Sequence, residues 1–266
     1  MINSQTHGEN LNILALIPSR MGSSRFPGKP LAPIRGKPMI GHVLDRVANQ
    51  SYLSLTAVAT CDQVIFDFIV SRGGTAVMTG NHHLRASDRC AEALETLERR
   101  NNVVYDIVVM VQGDEPMIHP DMVRDSLQPL LASPSVNVVN LLGQITSQKE
   151  FEDRNCIRVV CDLNSDALYF SREPIPARYS SSETLIGKLV CVIPFRRNFL
   201  LEFTRMAPTP LEIAESIDML RILEHGMRVR MVPTSHKTFS VDTPEDLRLL
   251  EEHFRDLDSY LRLPVE

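Results

Sequence analysis

The segment from Leu14 to Leu31 decides the fold and reads LALIPSRMGSSRFPGKPL. It begins with an apolar run typical of a buried strand and continues as a loop rich in glycine, serine and basic residues. In open α/β sheets, ligands bind beyond the carboxyl ends of the strands, where such a loop can turn its backbone N–H groups toward phosphate oxygens. The segment therefore predicts an anion site at the edge of an α/β sheet. The alternative is a basic loop that only faces solvent.

The loop matches neither of two common phosphate-binding patterns. The Walker pattern has four residues between its glycines and a Ser or Thr after its lysine, whereas Gly22 and Gly28 are five residues apart and Lys29 precedes Pro30. The dinucleotide pattern G-x-G-x-x-G does not occur in the chain. The sequence thus argues against a kinase-like or a nicotinamide-dependent redox site.

Short apolar runs alternate with stretches of helical spacing over the first 150 residues. Strands are predicted over residues 14–17, 55–59, 75–78, 107–111 and 136–142, and helices over residues 39–48, 63–71, 87–98 and 120–131. Strict alternation indicates crossover connections, and therefore a mostly parallel sheet covered on both faces. We predict a doubly wound α/β fold.

The pattern is looser after residue 150. Here the sequence predicts strands over residues 157–161, 168–170, 189–195, 228–232 and 238–241, a polar link over 178–183, and helices over 210–224 and from 244 to about 260. Thr243 is a candidate cap for the last helix. We predict one domain over residues 1–266, in which residues 150–200 form a smaller lobe with a mixed sheet.

Charge is distributed unevenly along the chain. The 266 residues carry 28 Lys and Arg against 33 Asp and Glu, a net charge of −5, which argues against a general nucleic-acid binder. Between Leu11 and Leu44, however, there is no acidic residue and there are five basic ones. These are Arg20, Arg25, Lys29, Arg35 and Lys37. A concentrated cationic segment in an acidic chain favours a local anion site.

Composition places the chain among ordinary globular proteins. It is 43% hydrophobic with a mean hydropathy of −0.08, and it has no apolar run of membrane-spanning length. The five cysteines show no C-x-x-C spacing, and the first ten residues are polar. We expect reduced cysteines, no membrane insertion and a cytoplasmic location. His82 and His83 are adjacent, but we predict no zinc site because no third ligand has a usable spacing in sequence.

Two aspartates follow predicted strands and are candidate metal ligands. Asp114 ends the apolar run Ile107-Val-Val-Met-Val-Gln-Gly-Asp114, and Asp242 stands between a short predicted strand and the last helix. Carboxylates beside bound phosphates are the ligands that Mg²⁺ requires. Each aspartate alone is equally compatible with a turn or helix-capping role. Together with the cationic loop, they predict a site for a magnesium-bound nucleoside triphosphate.

These blocks resemble the 3-deoxy-manno-octulosonate (Kdo) cytidylyltransferases, which are nucleotidyltransferases with a glycosyltransferase-A-like fold. The matching segments follow in order along nearly the whole chain. They are Ile17-Pro-Ser-Arg20, Ser24-Arg-Phe-Pro-Gly-Lys-Pro-Leu31, Gly36-Lys-Pro-Met-Ile40, Val111-Gln-Gly-Asp-Glu-Pro116, Ala167-Leu-Tyr-Phe-Ser-Arg172, Pro210-Leu-Glu212 with Glu215, and Val241-Asp-Thr-Pro-Glu-Asp246.

The resemblance implies a reaction and a set of roles. The family couples CTP to a 2-keto-3-deoxy sugar acid with release of pyrophosphate, in lipopolysaccharide biosynthesis. The catalytic residues implied are Arg20, Lys29, Asp114 and Asp242, of which the two aspartates hold Mg²⁺. Implied nucleotide contacts are Ser23, Arg25, Thr79, Ser87, Arg89 and Gln112. Implied sugar contacts are Arg172, Glu212 and Glu215. The resemblance also implies a homodimer formed through residues 150–200.

The chain departs from the family pattern in three segments. Where the family usually reads H-x-S-G-T-(D or E)-R, this chain has His83-Leu-Arg-Ala-Ser-Asp-Arg89. The family's K-H-x-G-x-Y-x-Y-R is here Lys188-Leu-Val-Cys-Val-Ile-Pro-Phe-Arg196, and its A-T-D-D is Ala59-Thr-Cys-Asp62. Leu84, Arg85, Leu189 and Ile193 replace residues that would shape or bond to the sugar.

The departures leave several hypotheses open. The acceptor is either ordinary Kdo or a modified, less polar 2-keto acid. The chain could instead be a transferase of the same fold that uses another nucleotide or a glycosyl donor, or a nucleotide-binding or regulatory homologue without catalysis. The complete set of Lys29, Asp114 and Asp242 argues against the last hypothesis, because binding alone does not require it.

Overall fold

The structure is a computed structural model that describes residues 11–23, 25–177 and 186–253. In chain order its strands are β1 (Ile13–Ser19), β2 (Pro33–Ile34), β3 (Lys37–Pro38), β4 (Leu55–Thr60), β5 (Thr75–Met78), β6 (Ile107–Val111), β7 (Val139–Gly143), β8 (Arg158–Cys161), β9 (Ala167–Ser171), β10 (Ile186–Val190), β11 (Val192–Arg196) and β12 (Arg230–Pro233). Its helices are α1 (Met39–Ala48), α2 (Gln63–Ser71), α3 (Ala86–Asn101), α4 (Pro120–Ala132), α5 (Gln148–Glu152), α6 (Arg197–Phe203), α7 (Pro210–Glu215), α8 (Met219–Glu224) and α9 (Pro244–His253).

Strand β1 lies at the centre of the first sheet, and all seven of its residues are buried. The sheet order is β11-β6-β1-β4-β5, and only β11 is antiparallel to its neighbour. Leu14 and Leu16 pack on one face with α3, whereas Ala15 and Ile17 pack on the other with α1, α2 and α4. Because both faces are covered, every position of β1 before its last residue, Ser19, is apolar. The predicted mostly parallel α/β fold is confirmed.

A second sheet has the order β12-β7-β10-β8-β9 and mixed strand directions. It has as many strands as the first sheet. Two of them, β7 and β12, come from outside residues 150–200. The mixed sheet was predicted, but its strands are recruited from a wider part of the chain.

Three predicted elements differ from the structure. The strand over 189–195 is broken at Cys191, because β10 pairs with β7 in the second sheet and β11 pairs with β6 in the first. The helix over 210–224 is interrupted at Ser216, whose φ of 55° is incompatible with a continuous helix. Residues 238–241 form no strand. Their Val241 N–H donates to the Asp114 carbonyl at 3.0 Å, which ties this segment to the end of β6 instead.

The last helix begins as predicted. Thr243 Oγ1 accepts from the Asp246 N–H at 3.2 Å, and the Asp246 carboxylate accepts from the Thr243 N–H at 2.8 Å. The end of this helix and the whole polar link predicted over 178–183 lie outside the described residues. None of the helices in the described part of the chain combines the length and the apolar character that a membrane span requires.

Candidate active site

The two predicted metal ligands lie on either side of one lysine. Lys29 Nζ is 2.8 Å from Asp114 Oδ2 and 3.2 Å from Asp242 Oδ1. Asp114 follows β6, and Asp242 precedes α9, so the topology brings together residues that are far apart in sequence. Burial alone would lower the pKa of Lys29, but the Asp114 and Asp242 carboxylates outweigh it and raise that pKa. Lys29 is therefore a cation at neutral pH.

The basic loop after β1 closes over this cluster. Arg25 Nη2 lies 3.0 Å from Asp242 Oδ1. Gly28 has a φ of 78°, which turns the chain into the short 3-10 segment that carries Lys29. The Met21 N–H donates to Asp62 Oδ2 at 2.8 Å, so the end of β4 holds the start of the loop. Sequence reasoning assigned no role to Asp62, although its position after a strand next to β1 was a usable signal.

A cavity at the carboxyl ends of β1 and β6 brings most of the predicted nucleotide residues together. Its lining includes the predicted residues Arg20, Ser23, Arg25, Lys29, Arg89, Gln112, Asp114 and Asp242. One oxygen of the metal candidate Asp114, Oδ1, is buried and has no hydrogen-bond partner among the described residues. The cavity combines several cations with two carboxylates, which suits a polyphosphate with a bound divalent cation.

Thr79 and Ser87 are not among the residues that line this cavity. Thr79 Oγ1 accepts a hydrogen bond from Arg89, and Ser87 Oγ donates to Asp218 Oδ2 at 2.8 Å. Both side chains therefore hold other residues of the site in place. Direct contact of either with a nucleotide stays a prediction.

His82 and His83 have a third candidate ligand that sequence spacing does not reveal. Glu92, from α3, bonds to His83 Nε2 and accepts from the Gly80 N–H at 2.9 Å. One ligand atom from each of the three residues lies within 4.8 Å of the others. The spacing argument against a third ligand was wrong, because the turn after β5 folds back on the helix. In the described structure these contacts brace the loop that carries Arg85.

A larger cavity adjoins the first and shares Arg25, Asp114 and Asp242 with it. Arg172 lines the larger cavity, where its Nε donates to the Glu215 carbonyl at 2.7 Å. The Glu215 carboxylate in turn accepts from the Arg172 N–H at 2.9 Å and from Ser171 Oγ at 2.9 Å. Glu215, which is not among the residues that line either cavity, fixes the position of Arg172. Direct contact of Arg172 or Glu215 with the sugar acid stays a prediction.

Glu212 lies outside both cavities. It is fully buried, and Arg221 binds it through two hydrogen bonds of 2.6 and 2.7 Å. Arg85 Nε adds a third at 3.2 Å. The described geometry makes Glu212 a support for Arg85 and α8. A direct contact with a sugar stays a prediction.

Sequence reasoning assigned no role to Glu115, although this residue lies in the site. It is 5% exposed and lines the larger cavity directly after Asp114. Burial, reinforced by the Asp114 charge, raises the pKa of Glu115 to about 8. Its position in the Gln-Gly-Asp-Glu-Pro block was the available signal, but a buried neutral acid cannot be recognised from sequence alone.

Fold and site together are those of a nucleotidyltransferase. A cytidylyltransferase family model matches residues 14–229. The chain is 42% identical to the 3-deoxy-manno-octulosonate cytidylyltransferase of Pelobacter propionicus over 94% of this chain and 100% of the relative. It is 40% identical to the enzyme of the same name from Geobacter sulfurreducens over 92% of this chain and 100% of the relative.

Solved structures agree with these relatives. A CMP:2-keto-3-deoxy-manno-octonic acid synthetase complexed with CTP superposes with a TM-score of 0.82 at 35% identity, covering 92% of this chain and 99% of that chain. The 4-diphosphocytidyl-2C-methyl-D-erythritol synthase of Anaerococcus prevotii shares the fold, with a TM-score of 0.60 at 12% identity over 93% of this chain and 100% of that chain. The chain belongs to the cytidylyltransferase family, and within it to the 3-deoxy-manno-octulosonate cytidylyltransferases.

Proposed function

We propose that the protein transfers CMP from CTP to a 2-keto-3-deoxy sugar acid, Kdo or a modified relative, and releases pyrophosphate. The observation that carries the proposal is the cluster of Lys29 with Asp114 and Asp242 beside the basic loop of β1. In this reaction the anomeric hydroxyl of the acid forms a bond to the α-phosphorus of CTP. The bond from that phosphorus to the pyrophosphate oxygen breaks, and the hydroxyl proton is released.

The chain's own cations account for binding and charge stabilisation. Arg20, Arg25 and Lys29 line the cavity and would hold the triphosphate. Charge that moves onto the leaving pyrophosphate is best stabilised by fixed cations already oriented toward it. Lys29 is fixed by its two carboxylates before any ligand enters, so it needs little reorganisation to serve the phosphates. Arg172, in the adjoining cavity, suits the carboxylate of the acid.

Mg²⁺ fits this donor set. The buried Asp114 Oδ1 lacks a hydrogen-bond partner among the described residues, and carboxylate oxygens are hard ligands. Asp114 and Asp242 would hold the ion. When bound, it would polarise the α-phosphate and neutralise part of the triphosphate charge. Homodimerisation through residues 150–200, a role in lipopolysaccharide biosynthesis and a cytoplasmic location belong to the same proposal and rest on the family.

Pyrophosphate release tests the proposal. We expect release from CTP with a 2-keto-3-deoxy sugar acid only when Mg²⁺ is present, and less release with ATP, GTP or UTP. Asp114→Asn should lower kcat by about 100-fold or more, because it removes one charged ligand without changing the side chain's size.

The matched control is Asp45→Asn. Asp45 is a half-exposed surface aspartate that pairs with Lys37 and Arg72, so its substitution should leave kcat within about twofold. Turnover that is insensitive to Asp114→Asn would remove the metal assignment. CTP binding without turnover for every acid offered would favour the non-catalytic homologue.

A further inference from the structure

One wall of the larger cavity is formed where the chain passes from the second sheet to the first. Leu189, Cys191 and Ile193 alternate along this segment, and all three line the cavity. Val190 and Val192, between them, are buried in the core on the other side. All three lining positions carry an apolar side chain or a thiol, and Leu189 and Cys191 are more exposed than Ile193, which is 2% exposed. We call Leu189, Cys191 and Ile193 the apolar wall.

The apolar wall has little capacity for hydrogen bonding. Leu189 and Ile193 have no polar side-chain atom, and burial holds the pKa of the Cys191 thiol well above its usual range. Cys191 therefore stays a neutral S–H group, which is a weak donor and a weak acceptor. Ile157 and Ile217 line the same cavity and extend its apolar surface.

Two arginines of the cavity lining, Arg85 and Arg172, approach each other at Ser216. Arg85 Nη1 donates to Ser216 Oγ at 3.0 Å, and Arg172 Nη2 lies 3.5 Å from the Ser216 carbonyl oxygen. Both guanidinium groups line the cavity and meet at this one residue. Burial lowers the pKa of Arg172, and the charges of Arg25 and Arg85 lower it further. Carboxylates line other parts of the cavity, but at Ser216 the two guanidinium groups lie close together, and an anion between them would offset their repulsion.

We infer that the acceptor is a 2-keto sugar acid with a deoxygenated or alkyl-bearing position against the apolar wall and its carboxylate between Arg85 and Arg172. The inference rests on the proposed function and narrows its substrate class. A sugar hydroxyl pressed against the wall loses its water partners and finds no replacement there. A hydrogen atom or methyl group at the same position has no such cost, and it adds apolar contact.

The test measures kcat/KM for pyrophosphate release from CTP with two kinds of acid. The first kind is ordinary Kdo. The second is a set of Kdo analogues, each of which lacks a single hydroxyl group or carries a methyl group in its place. We expect at least one analogue to be preferred over Kdo by about 10-fold to 200-fold, the range that a small apolar difference produces in an enzyme pocket. Kdo as the best acid of the series would overturn the inference.

Two variants test whether the apolar wall causes the preference for an analogue over Kdo. Leu189→His combined with Ile193→Tyr introduces hydrogen-bonding groups. It should lower the ratio of kcat/KM for the preferred analogue to kcat/KM for Kdo by about 10-fold. Leu163→His is the control, since Leu163 is fully exposed at a turn and should leave the ratio unchanged. CTP affinity and thermal unfolding show whether the double variant folds. An unchanged ratio in a folded double variant would contradict the role of the wall.

Arg85→Ser tests the anion site separately. It should raise KM for the acid about 10-fold and KM for CTP by clearly less, because the inferred ion pair of Arg85 is made to the carboxylate of the acid. Arg205→Ser removes an arginine that is exposed and pairs with Glu95, so it should leave both KM values unchanged. Equal increases in both KM values would contradict the assignment of Arg85 to the acid. If no acid supports pyrophosphate release, the proposed function itself fails, and the inference fails with it.

Discussion

At the scale of single residues, two arginine–glutamate pairs have the same length in different surroundings. Arg221 Nε lies 2.6 Å from Glu212 Oε2, with side-chain exposures of 3% and 1%. Arg248 Nη2 lies 2.6 Å from Glu245 Oε1, with exposures of 62% and 59%. Water can replace either partner of the exposed pair but not of the buried one. Burial, rather than distance, therefore decides what each pair contributes to stability.

We predict that Arg221→Met lowers the free energy of unfolding by about 3 kcal/mol, since it leaves the Glu212 charge buried. Arg85 stays beside Glu212, which keeps the expected loss at the low end of the range for such pairs. Arg248→Met should change the same quantity by less than about 1 kcal/mol. Urea unfolding followed by circular dichroism measures both. Equal losses in the two variants would contradict the prediction.

His42 links the stability of the protein to pH. It is 9% exposed, and its Nε2 donates to the Ile34 carbonyl at 2.9 Å. Burial lowers the pKa of His42 below 6.5, and the nearby Lys37 and Arg46 lower it further. The unfolded chain therefore takes up the proton first as the pH falls. Stability is lost as the pH drops from the unfolded pKa through the folded one, by at most about 1.4 kcal/mol per pH unit.

His42→Gln keeps a donor for Ile34 but does not titrate. Between neutral pH and about pH 5.5, we expect this variant to lose less thermal stability than the wild type. His82→Gln, at an exposed position, should lose as much as the wild type. Melting temperatures at a series of pH values measure the difference. A parallel loss in the wild type and His42→Gln would show that His42 does not carry this dependence.

At the scale of elements, the chain between β10 and β11 changes sheets within one residue. The run from Leu189 to Phe195 has the composition of one strand, but its two halves hydrogen-bond to different neighbours. This crossing requires close approach of β10 to β7. A Cβ added at Gly187 would lie 2.5 Å from Leu142 Cγ and 2.6 Å from the Gly143 carbonyl oxygen. Gly187 thus lets the second sheet reach the position at which its last residues line the larger cavity.

We predict that Gly187→Ala lowers the free energy of unfolding by about 1–3 kcal/mol, the range for overpacking a tight contact. Gly22→Ala is the control, because no described heavy atom lies within 4 Å of its added Cβ and its φ is not in the left-handed region. It should leave the free energy of unfolding within about 0.5 kcal/mol. Chemical unfolding of both variants measures these changes in the free energy of unfolding. Similar stabilities would contradict the crowding at β10.

At the scale of the whole molecule, the site joins distant parts of the chain. Arg25 and Asp242 are 217 residues apart and are in direct contact. The residues that line the two cavities come from the end of β1, the segment after β6, both sides of the β10–β11 crossing and the segment before α9. Because these parts meet only in the folded state, a ligand that bridges them should stabilise the entire fold.

CTP with Mg²⁺ should therefore raise the melting temperature. At a free concentration of about 100 times Kd, the expected gain in the free energy of unfolding is about 2.7 kcal/mol. The gain should be smaller when EDTA replaces Mg²⁺ and in the Asp114→Asn variant. Thermal unfolding at several CTP concentrations measures it. A melting temperature that does not depend on CTP concentration would contradict nucleotide binding at this site.

Local patterns were sufficient for much of the fold and part of the site. The alternation of apolar strands and amphipathic helices predicted the parallel sheet, because burial of both faces leaves an apolar signature in each strand. The glycine- and arginine-containing loop and Asp114 were predicted to meet, since residues that follow parallel strands gather at one edge, and the structure brings them together in one cavity. These features depend on residues close in sequence or on a general rule of sheet topology.

The sequence by itself determined the class of fold, the basic loop after β1 and the carboxylates beside it. Only the tertiary structure decided that Lys29 lies between Asp114 and Asp242, that Glu212 supports Arg221 and Arg85 from the core, and that Leu189, Cys191 and Ile193 line one cavity. The physical reason is that hydrogen-bond partners and burial belong to a residue's surroundings in space. Chain segments dozens or hundreds of residues away provide those surroundings, and local sequence patterns do not record which segments they are.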